Sequence, residues 1–191
     1  MNQIMWTPTD KQKQSSQMMK FMNFVNERFN IPLRNYNQLY NWSIDNSAEF
    51  WGCFWEYSDI IYHKSFYNVV DDIHHMPGAK WFEGATLNFA ENLLRYKDEN
   101  VAICFYSENR NKISLTYKEL YRSVARLSNS LRKMGIKKND RVAGFMPNIP
   151  ETIIAMLATS SIGAIWSSCS PDFGIKGVLD RFSQIEPKVI F

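Results

Sequence analysis

Cysteine is scarce in this 191-residue chain: Cys53, Cys104 and Cys169 are odd in number, far apart, and embedded in apolar runs. That argues against a disulfide framework and predicts buried, reduced thiols. Glycine is sparse too, with 8 residues, and nowhere forms a Gly-x-Gly-x-x-Gly or a Walker-type phosphate loop with its lysine. No serine sits in a nucleophile elbow, and Cys169 has no histidine near it in sequence. Charge of one sign is also lacking, since 22 basic and 19 acidic side chains leave a net +3. Nucleic acid and membrane surfaces are therefore not expected partners. No apolar run reaches the ~20 residues of a membrane helix, and the polar start has no signal-peptide core. The expected compartment is the cytoplasm.

What the chain does have is aromatic rings, 15% of its residues and mostly within the first 106. Such side chains anchor cores. Met18, Phe21, Met22, Val25 and Phe29 follow helical spacing between Ser15 and Asn30, with Ser15 or Ser16 as cap and Ile31-Pro32 as stop. A second helix is expected over 36–43, presenting Tyr36, Leu39 and Tyr40. A third begins near Asn46, which has capping-box spacing to Glu49 while Ser47 competes as the cap, and carries Phe50, Trp51, Phe54 and Trp55. This aromatic face suits core packing better than a ligand pocket. His74 to Gly84 reads as a loop, and Leu87 to Leu94 as a short helix with Leu87, Ala90, Leu93 and Leu94 inward. Adjacent His74 and His75 point apart on regular elements, and no cysteine lies at ligand spacing, so no metal is expected. Asp71-Asp72 reads as a solvated pair.

From Val101 the rhythm becomes α/β. Strands at 101–106 and 113–115 flank the polar stretch Ser107 to Lys112 and predict a hairpin. Thr116 and Glu119 form a capping box, opening a helix with the stripe Leu120, Val124, Leu127, Leu131 and Met134, stopped by Gly135. A strand at 141–146, a helix at 151–160, a strand at 164–168, a helix at 173–185 and a strand from Val189 follow. Connections of this length imply parallel pairing. The expected fold is α/β: an aromatic-rich helical region over 1–100, then an incomplete, mainly parallel sheet with flanking helices over 101–191. Lys188-Val189-Ile190-Phe191 carries no closing turn, so the expectation is the front portion of a longer protein.

Ligands of open parallel sheets bind beyond the carboxyl ends of the strands. Two loops fall there, Pro147 to Pro150 and Cys169 to Gly174. In the second, Ser167, Ser168, Ser170, Pro171 and Asp172 join hydroxyls to a helix N-terminus, which suits a polar ligand. Equally, Asp172 caps the helix and the serines satisfy local backbone groups. The basic cluster Arg132, Lys133, Lys137, Lys138 and Arg141 offsets a helix dipole or meets a phosphate, with a solvated surface favoured.

Several stretches together resemble the adenylate-forming acyl-CoA synthetases. They are Tyr40-Asn41-Trp42-Ser43, Phe50-Trp51, Pro77 to Phe82, Leu87 to Asn92 and Arg141 to Glu151. Gly163 to Gly174 and Gln184 to Lys188 are similar to the acetoacetyl-CoA branch. The acetyl-CoA branch has His at the Trp166 position and Phe-Gly-Gly at Ser170-Pro171-Asp172. The resemblance covers about residues 36–191. It implies activation of acetoacetate, a small acyl substrate, with ATP and Mg²⁺ to an acyl-adenylate, then transfer to CoA. It also implies that the phosphate loop, the ribose-binding Asp and the acylation Lys lie beyond Phe191, so no catalytic residue is expected here and this chain alone is expected to be inactive. Ser170, Pro171 and Asp172 are the candidates for the CoA channel. The alternatives are a non-catalytic interaction module on the same scaffold, or a ligase for another short acyl acid. Uncovered apolar helix faces and an open strand edge predict self-association.

Overall fold

Thr9 opens the first helix. The computed structural model describes residues 5–108 and 110–191, with residues 110 and 111 as backbone alone. The Thr9 hydroxyl accepts from the Gln12 N–H, and the Gln12 side chain accepts in return from the Thr9 N–H, starting α1 (Asp10–Ser15), which sequence patterning did not anticipate. Ser16 caps α2 (Gln17–Phe29), and Asn30 ends it in the left-handed conformation. Phe21, Met22 and Val25 are buried, whereas Met18 faces out. After α3 (Tyr36–Asp45), which buries Leu39 and leaves Tyr36 and Tyr40 stacked on the surface, comes α4 (Ser47–Tyr57). The expected Asn46–Glu49 box is absent: Asn46 ends α3 and stands at the N-cap of α4 at once, and its side-chain amide donates back to the Trp42 carbonyl instead of capping α4.

Rings hold this part together. Phe21 meets Phe50, Phe54 and Tyr57 edge-on at 5.8, 5.7 and 5.1 Å. The segment read as a loop over 74–84 contains a strand: β1 (Asn68–Val70) pairs antiparallel with β2 (Trp81–Glu83). Phe82 draws it in, 4.8 Å from Trp55 and 5.3 Å from Phe66. Asp71 helps close the connection, accepting from the Lys80 and Asp72 N–H groups, which hold its carboxyl below the ordinary carboxylate range.

The chain divides into two compact units, one running to Leu87 and the other from Asn88 to Phe191. The second begins with α5 (Phe89–Leu93), capped by Asn88, whose amide also donates to the Ser160 carbonyl. This later start turns Leu93 outward and buries Ala90 and Leu94; Leu87, before it, is exposed. β3 (Val101–Ser107) and β4 (Arg110–Thr116) form the antiparallel hairpin, with longer strands than patterning indicates; Asn109 lies outside the described residues. The Thr116–Glu119 box opens α6 (Tyr117–Lys133). At its end, Gly135 (φ 83°) and Ile136 donate to the Arg132 and Leu131 carbonyls, a Schellman closure. Met134 is therefore 63% exposed instead of completing the apolar stripe.

β5 (Arg141–Phe145), α7 (Pro150–Ser161), β6 (Ile165–Cys169), α8 (Ile175–Ile185) and β7 (Val189–Ile190) complete the unit. The strands form a parallel sheet in the order β6-β5-β7. Val142 faces the main core with Leu120, Val124, Leu131 and Leu157, while Ala143 faces Phe182 and Val178 of α8. Gly144 is needed on the first side, because a Cβ there would lie 2.6 Å from the Trp166 ring.

Two predictions follow from burial. Thr159 is 0% exposed and its hydroxyl has no partner. Thr159→Val removes that unmet group and should stabilise the chain by about 1 kcal/mol, raising the midpoint by ~2–4 °C in thermal melting. Cys53 and Cys169 are buried as expected, but Cys104 is exposed, since it alternates outward on β3 opposite Ser114. Burial, then Glu56, pushes the Cys53 thiol up, partly countered by Arg28. A native-state thiol titration should label Cys104 fast and the other two only on unfolding.

Candidate functional site

The parallel register that pairs Phe145 with Cys169 brings the ends of β5 and β6 together, so the loops after them are neighbours. Met146 N–H reaches the Cys169 carbonyl at 3.3 Å. After β5, Thr152 donates its hydroxyl to the Pro147 carbonyl (2.7 Å), and Pro150 opens α7, where its missing N–H costs nothing. After β6, the Ser170 hydroxyl donates to Asp172 Oδ2 at 2.9 Å and accepts from the Asp172 N–H at 3.3 Å. Phe173 N–H closes the turn on the Ser170 carbonyl.

Asp172 does not cap α8. The N-cap is Gly174, and no side chain bonds the free N–H groups of the first turn. Asp172 is one residue pair too early and is already held by Ser170. Ser170 is half-buried, Pro171 and Asp172 are exposed, and Cys169 is buried. Beside them lies an apolar cavity of about 370 Å³, lined by Phe145, Pro171, Phe173, Ile175, Val178 and Leu179. Sequence reading missed it, although the exposed end of an otherwise amphipathic α8 (Ile175 82%, Leu179 63%) is its signal.

The basic cluster sits elsewhere. Arg141 is at the amino end of β5 and donates to the Ile185 and Glu186 carbonyls, closing α8. Lys188 bonds Asp140 at 2.6 Å. Lys188, then the Lys137 N–H, hold the Asp140 carboxyl below the ordinary range. A separate cavity of about 670 Å³ lies in the N-terminal unit, between Trp55, Tyr62, Phe66 and the Arg28–Glu56 ion pair. Among the described residues no group of three or more His, Cys, Asp or Glu is arranged to hold a metal, and no helix is long and apolar enough to cross a membrane.

Residues 89–191 match the AMP-binding enzyme family, and residues 36–93 match the acetyl-coenzyme A synthetase N-terminus. The chain belongs to the AMP-binding enzyme family. It is 50% identical to an acetoacetyl-CoA synthetase of Xenopus tropicalis, over 98% of this chain and 28% of that protein. It is 41% identical to a malonamoyl-CoA synthetase of Penicillium aethiopicum, over 93% of this chain and 25% of that protein. The solved structure of acetoacetyl-CoA synthetase from Streptomyces lividans superimposes with a TM-score of 0.91 at 39% identity, over 100% of this chain and 30% of that one. The chain thus spans about a quarter to a third of the length of the proteins it matches. The AMP-binding match falls on the second unit, which carries the parallel sheet.

Because the Asp140 carboxyl is held below its ordinary value, its contribution is present above about pH 4 and is lost as pH falls through the lowered value. Asp140→Asn should lower the melting temperature by a few degrees at neutral pH. The gap to wild type should hold down to about pH 4 and narrow below it, as melts taken across that range would show.

Proposed function

We propose that this chain is the N-terminal part of an ATP-dependent ligase. The whole enzyme converts acetoacetate, ATP and CoA to acetoacetyl-CoA, AMP and pyrophosphate in the cytoplasm, through an acyl-adenylate. The observation that carries the reading is near-half identity to acetoacetyl-CoA synthetases along practically all of this chain. ATP and Mg²⁺ serve the adenylation step, and CoA accepts the acyl group. The chain itself has no glycine-rich phosphate loop, and Asp172 is the one carboxylate in the segment 169–174. On this reading the phosphate cradle and the Mg²⁺ ligands belong to the rest of the enzyme, and this chain is inactive alone.

Ser170, Pro171 and Asp172 fit a more limited part, lining the CoA path. A hydroxyl and a carboxylate beside an apolar cavity suit the narrow, amide-bearing arm of CoA. They do not suit its phosphates, which an Asp repels. The 41% identity to a malonamoyl-CoA synthetase supports a second reading of the substrate. Malonamate, like acetoacetate, carries a carbonyl β to its carboxylate, so that group rather than the terminal methyl is the feature recognised. The isolated chain is expected to self-associate, because Ile175 and Leu179 are uncovered and β6 and β7 are both open edges. A strictly monomeric scattering mass with one cooperative melt would count against this.

The deciding assay compares acetoacetate, malonamate and acetate in pyrophosphate release by the complete ligase and by residues 1–191 alone. The complete enzyme should favour acetoacetate at least about ten-fold over acetate, a preference of ~1.4 kcal/mol in the transition state. The short chain should release none. Equal or better use of acetate would overturn the substrate assignment.

A further inference from the structure

We propose that Arg181 is a positioning residue for the CoA-accepting step, acting through Phe173 on the loop Ser170–Gly174. The inference rests on the assignment of that loop to the CoA path. Internal bonds close the loop on itself: the Ser170 hydroxyl to Asp172, the Asp172 N–H to Ser170, and the Phe173 N–H to the Ser170 carbonyl. None of these reaches the helix that follows, which is joined to the loop through its backbone, Val178 N–H to the Gly174 carbonyl, and gets no side-chain cap from Gly174. Arg181 adds the side-chain connection. Its guanidinium carbon lies 4.0 Å from the Phe173 ring centroid, and its Nη1 donates to the Gly177 carbonyl at 3.0 Å. Both groups close over Gly177, where an added Cβ would touch Arg181 Nη1 at 3.4 Å and Phe173 Cδ1 at 3.5 Å.

The Phe173 ring is thus held between the guanidinium and the apolar cavity that it lines with Phe145 and Leu179. Without the clamp a ring 41% exposed can swing, taking Asp172 and Pro171 with it. A shift of about an ångström in a channel wall misplaces a thiol that must reach a fixed acyl carbon. Lysine is a poor substitute, since it lacks the flat face and the fork that stack on a ring and reach a carbonyl together.

The test uses the complete ligase and separates its half-reactions. Acetoacetate-dependent ATP–pyrophosphate exchange needs no CoA, whereas thioester formation reports the KM for CoA. Arg181→Ala and Phe173→Leu should each raise the KM for CoA about five-fold relative to any change in exchange. Arg181→Lys, which keeps the charge but loses the flat fork, should raise the KM for CoA as Arg181→Ala does. An unchanged KM for CoA in both Arg181→Ala and Phe173→Leu overturns the inference and leaves the ligase reading standing. So does a parallel fall in exchange and thioester formation, which marks a merely structural contact. Absence of acetoacetate-dependent exchange in the wild type removes the ligase reading itself, and this inference with it.

Discussion

Double-sided burial of one strand is the constraint on which the C-terminal unit depends. Val142 and Ala143 of β5 are completely buried and point to opposite faces, so both faces must be covered at once. β6 and β7 then take the two hydrogen-bonding edges, and Arg141 and Lys188 fasten the amino end of the sheet to α8 and β7. A buried Val contributes about 1.5–3 kcal/mol by removal from water, provided its neighbours pack without voids. Gly144 shows how tight that packing is, because the Trp166 ring occupies the space of its absent side chain.

Part of what was periodic or capped was legible. The Thr116–Glu119 box, the Leu120–Val124–Leu131 stripe and the Gly135 stop each rest on local chemistry that needs no distant partner, and each is where the pattern puts it. The parallel strands were legible for the same reason, since short apolar runs alternate with helices of fixed length. Illegible elements depended on distant contacts. β2 is three residues long in a Pro- and Gly-bearing segment, and it is a strand because Phe82 packs on Trp55, 27 positions away in sequence. Asn46 has the spacing of a cap toward Glu49 yet serves the preceding helix, a choice between two geometries that spacing does not rank.

The candidate loop was visible as a place and not as an arrangement. Its hydroxyls, strand end and following helix can be read directly from the residues. The pairing that matters, Ser170 with Asp172 rather than Asp172 with the helix, follows from where α8 begins, and α8 begins at Ile175 instead of Phe173. Two residues of boundary error thus reverse the role of a carboxylate. The same displacement frees Phe173 from the helix and lets it meet both the cavity and Arg181.

Charge decides what kind of ligand group this end of the sheet can accept. Activating a carboxylate with ATP gathers negative charge at the phosphates, and that charge must be met by cations or aimed backbone donors. Arg181, Arg141 and Lys188 are already engaged, with Phe173 and Gly177, with the end of α8 and with Asp140, while Lys176 stands in the first turn of α8 itself. Beyond β5 and β6 stand the Ser170 hydroxyl paired with one carboxylate, the uncapped first turn of α8 with Lys176, and an apolar cavity. One lysine and one helix terminus fall far short of the charge a polyphosphate carries, and the apolar side of the site suits a flexible segment with amide groups. Under the proposed ligase reading, this region steers the acyl acceptor and leaves the phosphate chemistry to other residues.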